Sequence, residues 1–291
     1  MPLYSIGMPH RDHLYPLLAA FCIVNAASGI FLTQVQAAHI SQNDQSIYAE
    51  GIGTSPATFI RATSSEGTIN LPILVYHIVR PSYPDDSEAV RAIALTPETF
   101  DAEMQYLAEA GYHIVLFSDL EDNLRNNKPL PTKPILISFD DGWGDQFTYA
   151  FPILKKYKYP ATFFIFTNSI DHKSFMSLNE LRELIAAGMV IGSHSRSHPY
   201  LTKIPDSADL WDEIYTSKIT LEKRLGITIN QFAYPFGQYT AAIAMLVEKA
   251  GYRSARGDYY TGEQKVSRLY ELSALNAPTT LALFKKSFPA R

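Results

Sequence analysis

The stretch Ile-Leu-Ile-Ser-Phe-Asp-Asp-Gly, residues 135–142, joins a short apolar run to two acidic residues and a glycine. Five residues rich in β-branched and aromatic side chains predict a strand buried on both faces, which is typical of parallel sheets. Two carboxylates at the end of a buried strand are costly unless they are paired or bind a cation. The stretch therefore predicts a parallel strand whose carboxyl end carries a functional site.

Similar apolar runs recur on both sides of this strand and alternate with helical stretches. The predicted strands are residues 73–77, 113–117, 135–139, 161–166, 189–193 and 231–236, with weaker candidates at 252–255 and 272–275. The predicted helices begin at Thr96 and at residues 178, 209 and 241, and each ends at a glycine. Such repeated units predict a distorted (β/α) barrel of seven to eight parallel strands. An open doubly wound sheet is the alternative, but its Gly-rich phosphate-binding turn is missing from the sequence.

The first 70 residues differ in composition from the rest. Residues 14–32 are almost entirely apolar, Arg11 precedes them, and residues 35–38 (Val-Gln-Ala-Ala) resemble a signal-peptidase site. Residues 1–38 are therefore interpreted as a secretory signal peptide, with an uncleaved membrane anchor as the alternative. Residues 39–70 are predicted to be a linker, which leaves residues 71–291 as the folded domain. We expect an exported protein that contacts a membrane only if the apolar segment is retained.

The overall composition excludes several classes of protein. The chain is 46% hydrophobic and 19% charged, which is typical of a globular domain. Its 25 basic and 29 acidic residues provide no basic excess, so we expect no nucleic-acid partner. The single cysteine, Cys22, excludes an intramolecular disulfide and a thiolate metal site. The sequence leaves the oligomeric state open.

Polar motifs follow several predicted strands, and in a β/α barrel the carboxyl ends of the strands form one face. These motifs are His77, Asp140-Asp141-Gly142, His194-Ser195-Arg196-Ser197-His198-Pro199 and Tyr234-Pro235-Phe236-Gly237. Two histidines on one helical turn, with one aspartate, supply three ligands to a divalent cation and leave a position for water. A second aspartate can accept a proton from that water, which predicts hydrolysis of an amide or ester. Taken singly, the histidines could instead bond to backbone groups, and the aspartates could cap a helix.

In this order, the last three motifs resemble those of polysaccharide deacetylases of the NodB-homology type (carbohydrate esterase family 4), and the resemblance covers residues 71–291. It implies a distorted β/α barrel, one divalent metal ion that is usually zinc (cobalt, nickel or iron otherwise), and removal of N-acetyl groups from a polysaccharide. It implies that Asp140 is the general base and that Asp141, His194 and His198 are metal ligands. Further implied roles are loop support by Ser195 and a substrate and oxyanion subsite at Tyr234, Pro235 and Phe236, where the Phe236 N–H holds the oxyanion.

Two departures from the family pattern stand out. The third motif often has an arginine two residues before its proline, where this chain has Ala233, so the orientation of the base must rest on another group. No histidine follows His198 at the position of the family's late general acid. Tyr76-His77 is similar to the Tyr-His of the subgroup that acts on poly-N-acetylglucosamine, which implies His77 as the acid. A buried core histidine is the alternative.

The expected partner is an acetylated polysaccharide: poly-N-acetylglucosamine, a chitin-like polymer or a peptidoglycan glycan. Two alternatives remain at this stage, an esterase that removes O-acetyl groups from xylan or another glycan, and a glycan-binding protein with a degenerate barrel. Aromatic residues near the predicted loops, Trp143 and Tyr200 among them, are candidates for stacking on sugar rings or for packing the loops.

Overall fold

The computed structural model describes residues 59–60, 67–258 and 262–290, which belong to a compact unit of residues Ala57–Arg291. The predicted signal peptide, residues 1–38, and most of the predicted linker lie outside the described residues. Within the described ranges, each helix is either too short or too polar to cross a lipid bilayer.

Short strands and helices alternate along these ranges. The strands are β1 (Phe59–Ile60), β2 (Thr68–Asn70), β3 (Ile73–Tyr76), β4 (Ile78–Val79), β5 (Ala94–Leu95), β6 (His113–Ile114), β7 (Leu130–Pro131), β8 (Pro134–Phe139), β9 (Thr162–Ile165), β10 (Val190–Ser193), β11 (Gln231–Ala233), β12 (Ser254–Arg256), β13 (Glu263–Lys265) and β14 (Leu275–Asn276). The α-helices are α1 (Glu88–Ile93), α2 (Pro97–Glu109), α3 (Phe117–Asn126), α4 (Phe151–Tyr157), α5 (Leu178–Ala186), α6 (Ser207–Trp211), α7 (Ser217–Leu225), α8 (Ala241–Lys249) and α9 (Leu281–Ser287). Two segments are π-helical, Gln146–Ala150 and Asp212–Thr216.

The central sheet contains eight parallel strands. Its order is β12-β11-β10-β9-β8-β3-β14, and β6 also pairs with the first residues of β8. The segment 272–276 contacts both edges, because Leu272 bridges Arg256 of β12 while Leu275 pairs with Leu74 of β3. The sheet therefore curls into a distorted barrel, which confirms the predicted fold class and is incompatible with an open doubly wound sheet.

Strand β8 is buried along its whole length, as predicted for a strand covered on both faces. Its side chains alternate between the faces, so Leu136 packs with Phe164 and helix α3, whereas Ile137 and Phe139 pack beneath the other helices. The Phe139 ring also stacks on Phe163 of β9, with ring centroids 4.7 Å apart. These two apolar layers fix the register that positions the strand ends.

The run 113–117 is a strand only in its first part. Strand β6 ends at Ile114, and helix α3 begins at Phe117, so the strand predicted over the whole run is corrected to a strand followed by a helix. The Leu116 N–H donates to the Asp119 carboxylate at 3.0 Å, which caps the helix start. Phe117, Leu120 and Leu124 then lie at helical spacing on one buried face.

The ordered domain also begins before Leu71. Residues 68–70, assigned to the linker from their composition, form strand β2, which pairs antiparallel with β13. Ile69 is the apolar anchor of this strand and is only 4% exposed. The composition does not indicate this strand, because its sequence has a low local propensity for β-structure and is stabilised by a pairing partner almost two hundred residues away.

Candidate metal centre and active site

The candidate site lies where adjacent strands of the central sheet end. Tyr76, the last residue of β3, pairs in register with Phe139, the last residue of β8. The residues that follow, His77 and Asp140, therefore lie side by side. Ser193 of β10 pairs with Phe232 of β11, which brings the histidine loop beside the third motif. The parallel register thus places all the predicted motifs on one face of the barrel.

The chain bends sharply at Asp141 and Gly142, whose φ angles are 73° and 78°. Because of this bend, Asp141 leaves the alternation of the strand and its carboxylate faces the two histidines. The indole N–H of Trp143 donates to Oδ2 of Asp141 at 2.9 Å, and Oδ1 is the oxygen nearest the histidines. A Cβ at position 142 would lie 2.9 Å from Cδ1 of Ile165, so both conformation and space favour glycine there.

The two histidines lie in a loop, and not on the single helical turn expected from their spacing. Ser195 and His198 take left-handed conformations, with φ angles of 68° and 60°, which no right-handed helical turn contains. Pro199 also disfavours the helical conformation at His198. The Ser195 Oγ accepts a hydrogen bond from the His198 N–H at 2.9 Å. This turn brings the imidazoles of His194 and His198 to a centroid separation of 4.8 Å.

Three potential ligand atoms converge between these segments. Oδ1 of Asp141 lies 3.6 Å from Nε2 of His194 and 3.3 Å from Nε2 of His198. Among the described residues, these three side chains form the single group able to hold a metal ion, with donor atoms within 4.8 Å of one another. One oxygen and two nitrogens leave a tetrahedral position open for water or substrate, as in catalytic zinc sites.

The hydrogen bond of His194 and the lowered pKa of His198 suit cation binding. Nδ1 of His194 lies 2.8 Å from the carbonyl oxygen of Ala233. A carbonyl only accepts, so Nδ1 is the donor, and in the neutral imidazole this tautomer leaves the Nε2 lone pair for a cation. Burial, reinforced by the neighbouring His194, lowers the pKa of His198 to about 4. His198 is therefore neutral at pH 7 and able to act as a ligand.

Asp140 is a second carboxylate, buried beside the three ligand atoms. Its Oδ1 accepts a charge-assisted hydrogen bond from Nη2 of Arg256, and its Oδ2 lies 3.8 Å from Nε2 of His194. Burial acts to raise the pKa of Asp140, but Arg256, together with His194 and His77, outweighs burial and holds this pKa below its usual range. Asp140 is therefore ionised at neutral pH and able to accept a proton.

Arg256 is a residue of the candidate site that the sequence did not predict. Ala233 occupies the position that often holds an arginine in the motif pattern that the sequence resembles, and Ala233 of β11 is the register partner of Arg256 of β12. Partners in adjacent parallel strands face the same side of the sheet, so the guanidinium reaches Asp140 from the next strand. It also lies over the ring of Phe164 at 4.8 Å. The available signal was an arginine directly after a weakly predicted buried strand, where a charge needs a partner.

His77 follows β3 and is half-buried, so it is not the fully buried core histidine of the alternative interpretation. The Gln146 side-chain amide donates to the carbonyl of His77 at 2.7 Å and to the carbonyl of Asp140 at 2.6 Å. This amide holds the two chain segments together. The His77 imidazole is near enough to act electrostatically on Asp140 and His198. His77 therefore belongs to the same cluster.

The third motif divides between the core and the site. Tyr234 is buried, and its hydroxyl donates to the carbonyl of Tyr270 at 2.8 Å, so its side chain faces the core and not the site. Pro235 is buried as well, and β11 has already ended at Ala233. Phe236 has a φ of 57°, and the residue is 42% exposed. Its ring lies 4.6 Å from the His198 ring and stacks on Tyr200 at 3.8 Å.

Backbone strain is concentrated here. Eight described residues other than glycine have positive φ, and four of them, Asp141, Ser195, His198 and Phe236, belong to this cluster. Such conformations cost roughly 1 to 2 kcal/mol each, so surrounding contacts must enforce them. Clustering of this kind is typical of functional sites.

A family model described as polysaccharide deacetylase matches residues 127–255. Over these residues the chain is similar to the polysaccharide deacetylase family. The matched range contains both aspartates, both histidines and the third motif of the family, whereas His77 and Arg256 lie outside it. The resemblance inferred from the three motifs is thereby confirmed.

Named relatives show the same similarity. The chain is 28% identical to YxkH of Bacillus subtilis over 198 residues, which cover 65% of this chain and 64% of that protein. It is 26% identical over 201 residues to the poly-beta-1,6-N-acetyl-D-glucosamine N-deacetylase of Staphylococcus aureus, covering 61% of this chain and 68% of that protein. The solved structure of IcaB from Ammonifex degensii shares 25% identity with a TM-score of 0.65, over 72% of this chain and 92% of that one. The match to YxkH therefore spans less than two thirds of that protein's length.

Proposed function

We propose that the chain is a metal-dependent polysaccharide N-deacetylase, which hydrolyses the amide that links acetate to a sugar nitrogen. The observation that carries this proposal is an ionised carboxylate, Asp140, beside the convergent ligand atoms of Asp141, His194 and His198. A binding protein needs no such additional carboxylate. The reaction named for the S. aureus relative supports poly-N-acetylglucosamine as the substrate.

The proposed metal ligands are Asp141, His194 and His198, and zinc is the proposed ion because two imidazoles and a carboxylate suit it. A bound divalent cation supplies a Lewis acid that polarises the acetyl carbonyl and lowers the pKa of a water molecule. The hydrogen bonds from Trp143 to Asp141 and from His194 to Ala233 orient two of the ligands before any ion binds.

Asp140 is the proposed general base, because it is ionised and lies next to the ligand atoms. It takes a proton from the attacking water. Arg256 orients the carboxylate and keeps it charged until the proton arrives, although the surrounding atoms exclude solvent. Removing this base typically lowers turnover by about 10²-fold or more.

His77 is the proposed general acid, which donates a proton to the sugar nitrogen as the C–N bond breaks. It stands beside Asp140 and is partly accessible, as a group that contacts substrate must be. The main-chain N–H of Phe236, in the strained turn beside His198, is proposed to stabilise the negative charge that develops on the carbonyl oxygen. The exposed, stacked rings of Phe236 and Tyr200 offer an apolar surface for a sugar ring.

We propose export for the chain, on the basis of its apolar residues 14–32 and the small residues that follow them. A polysaccharide substrate outside the cytoplasm requires this location. Mass spectrometry of the protein from the producing cells tests it, and a first residue near position 39 is the expected result.

The decisive experiment measures acetate release by the zinc-loaded protein. The substrates are β-1,6-linked N-acetylglucosamine oligomers, chitin oligomers and acetylxylan, and the Asp140→Asn variant measures the background. We expect release from an N-acetylglucosamine oligomer, reduced about 100-fold in the variant, which keeps its zinc. Release from acetylxylan alone, or from none of the three, contradicts the proposal.

A further inference from the structure

The loop that carries both proposed histidine ligands is held by a buried carboxylate outside the family's three motifs. Oε2 of Glu213 accepts hydrogen bonds from the main-chain N–H groups of Arg196 and Ser197, at 3.0 and 2.9 Å. Its Oε1 accepts the Ser197 hydroxyl at 2.6 Å. Glu213 is only 4% exposed, so these bonds are shielded from water. A single side chain thus satisfies three donors in the short segment between His194 and His198.

The helix that presents Glu213 departs from regular α-helical geometry at this position. Residues Asp212–Thr216 are π-helical between α6 and α7. The Ile214 carbonyl there accepts hydrogen bonds from the hydroxyl groups of Ser217 and Tyr252, at 2.8 and 3.0 Å. Such insertions are frequent at functional sites, because they redirect a side chain that a regular helix would place elsewhere. Here two consecutive side chains, Glu213 and Ile214, are both buried.

The opposite side of the loop is also fixed. The N–H groups of Thr167 and Asn168 donate to the carbonyls of Ser195 and Arg196, at 3.2 and 2.9 Å. These contacts come from the segment after β9 and are made by the main chain. From the helix side, the buried Glu213 holds the main chain of the loop, and substitution can test this role without altering the strands.

We propose that Glu213 is a positioning residue for the metal centre, which sets the separation of His194 and His198 and thereby the affinity for the cation. This proposal rests on the proposed function, because it takes the two histidines as ligands. Three hydrogen bonds to one carboxylate hold the strained conformations at Ser195 and His198 in place, and without these bonds the loop relaxes and the two ring nitrogens separate.

The neighbouring Asp212 provides a matched control. Its carboxylate lies 3.0 Å from Nε of Arg196, in the same loop, yet both side chains are more than 40% exposed. Exposed ion pairs contribute little, so Asp212→Asn removes a charge beside the loop while leaving its main chain held. Glu213→Gln keeps a carbonyl oxygen that can accept the two N–H groups, and Glu213→Ala keeps none.

The experiment measures the zinc dissociation constant of the metal-free full chain by competition with a chromophoric chelator. We expect it to rise about 10-fold in Glu213→Gln and about 100-fold in Glu213→Ala, and to stay within threefold in Asp212→Asn. The visible spectrum of the Co²⁺ form, which reports ligand geometry, should change in the Glu213 variants alone. If Glu213→Ala fails to fold, Glu213→Gln and Ser197→Ala, each expected to weaken zinc about 10-fold, decide the question.

Two results would overturn the proposal in different ways. If the wild-type chain binds no zinc, both the proposed function and the role of Glu213 are wrong. A wild type that binds zinc, with Glu213 variants that bind it equally well and give the same Co²⁺ spectrum, removes this inference alone.

Discussion

Asp140 and Asp141 are adjacent in sequence, yet they have different partners. Asp140 is paired with Arg256, whereas Asp141 receives the indole N–H of Trp143 and faces two imidazoles. The bend at Asp141 separates the two carboxylates, because a straight strand would direct them to opposite faces of the sheet. At the scale of single residues, the different surroundings of the two carboxylates support the proposal that Asp141 binds the cation and Asp140 acts as the base.

The proposed role of His77 predicts a dependence on the leaving group. His77→Gln should lower turnover of an N-acetylglucosamine oligomer by roughly 10²-fold, because the departing amine needs a proton. Hydrolysis of 4-nitrophenyl acetate should change little, since its leaving group needs none. The control is His113→Gln, whose exposed ring bonds to the Thr132 carbonyl at the other end of the sheet. Equal losses on both substrates, or loss of zinc, would count against an acid role.

The pairing of Arg256 with Asp140 predicts that an arginine on the neighbouring strand can replace Arg256 and restore part of the activity. Arg256→Ala leaves a buried carboxylate without its cation, so the pKa of Asp140 rises and the acidic limb of the pH–rate profile moves to higher pH. Ala233 is the register partner of Arg256. The double variant Ala233→Arg/Arg256→Ala should therefore turn over substrate about 10-fold faster than Arg256→Ala alone. Steady-state rates from pH 5 to pH 9 test both effects. An unchanged profile in Arg256→Ala would exclude the pairing as a determinant of the base.

At the scale of elements, helix α2 packs on strand β3 through a polar contact inside an apolar layer. The Tyr76 hydroxyl donates to Oε2 of Glu103 at 2.9 Å, and neither residue is accessible to solvent. Phe100 packs edge-on against the Tyr76 ring, 5.0 Å away. Burial raises the pKa of Glu103 to about 8 in the folded protein, although the Tyr76 hydrogen bond opposes the rise. The carboxyl group is therefore protonated at neutral pH.

This contact predicts how stability changes with pH. The folded pKa of Glu103 is raised, so its contribution to stability is complete below pH 4.5 and is lost as the pH rises to about 8. Glu103→Gln keeps an acceptor for Tyr76 but does not titrate. Between pH 5 and pH 8 the wild type should lose at least about 1 kcal/mol more unfolding free energy than the variant. Urea unfolding of the metal-free proteins measures this, with exposed Glu109→Gln on the same helix as the control. Parallel declines in wild type and Glu103→Gln would contradict it.

At the scale of the whole molecule, the proposed ligands come from loops that follow two strands, β8 and β10, with β9 between them. A cation bound there connects segments that the sheet alone holds by main-chain pairing. Apolar layers on both faces of the sheet fix the register, and the loops at its carboxyl edge carry the strained conformations. The apolar packing thus lies in the body of the barrel, and the residues of the proposed function lie at one edge.

Metal removal should therefore affect both activity and stability. A chelator should abolish acetate release, and zinc should restore it. At a free zinc concentration 100 times the dissociation constant, binding adds about 2.7 kcal/mol to the unfolding free energy, or roughly 5 to 10 °C in Tm. Differential scanning calorimetry with and without zinc measures the shift. A Tm independent of zinc, together with activity in excess chelator, would refute the assigned ligand set.

The sequence by itself determined the barrel, the edge that carries the site, and the residues Asp140, Asp141, His194 and His198 that meet there. Those features are local, because each depends on an apolar strand and on the few polar residues that follow it. Only the tertiary structure decided which guanidinium holds Asp140, that Tyr234 faces the core, and that Glu213 supports the histidine loop. These contacts depend on strand register and on a π-helical insertion, which relate residues far apart in sequence. No periodicity within one segment contains that information, because register is set by packing between segments.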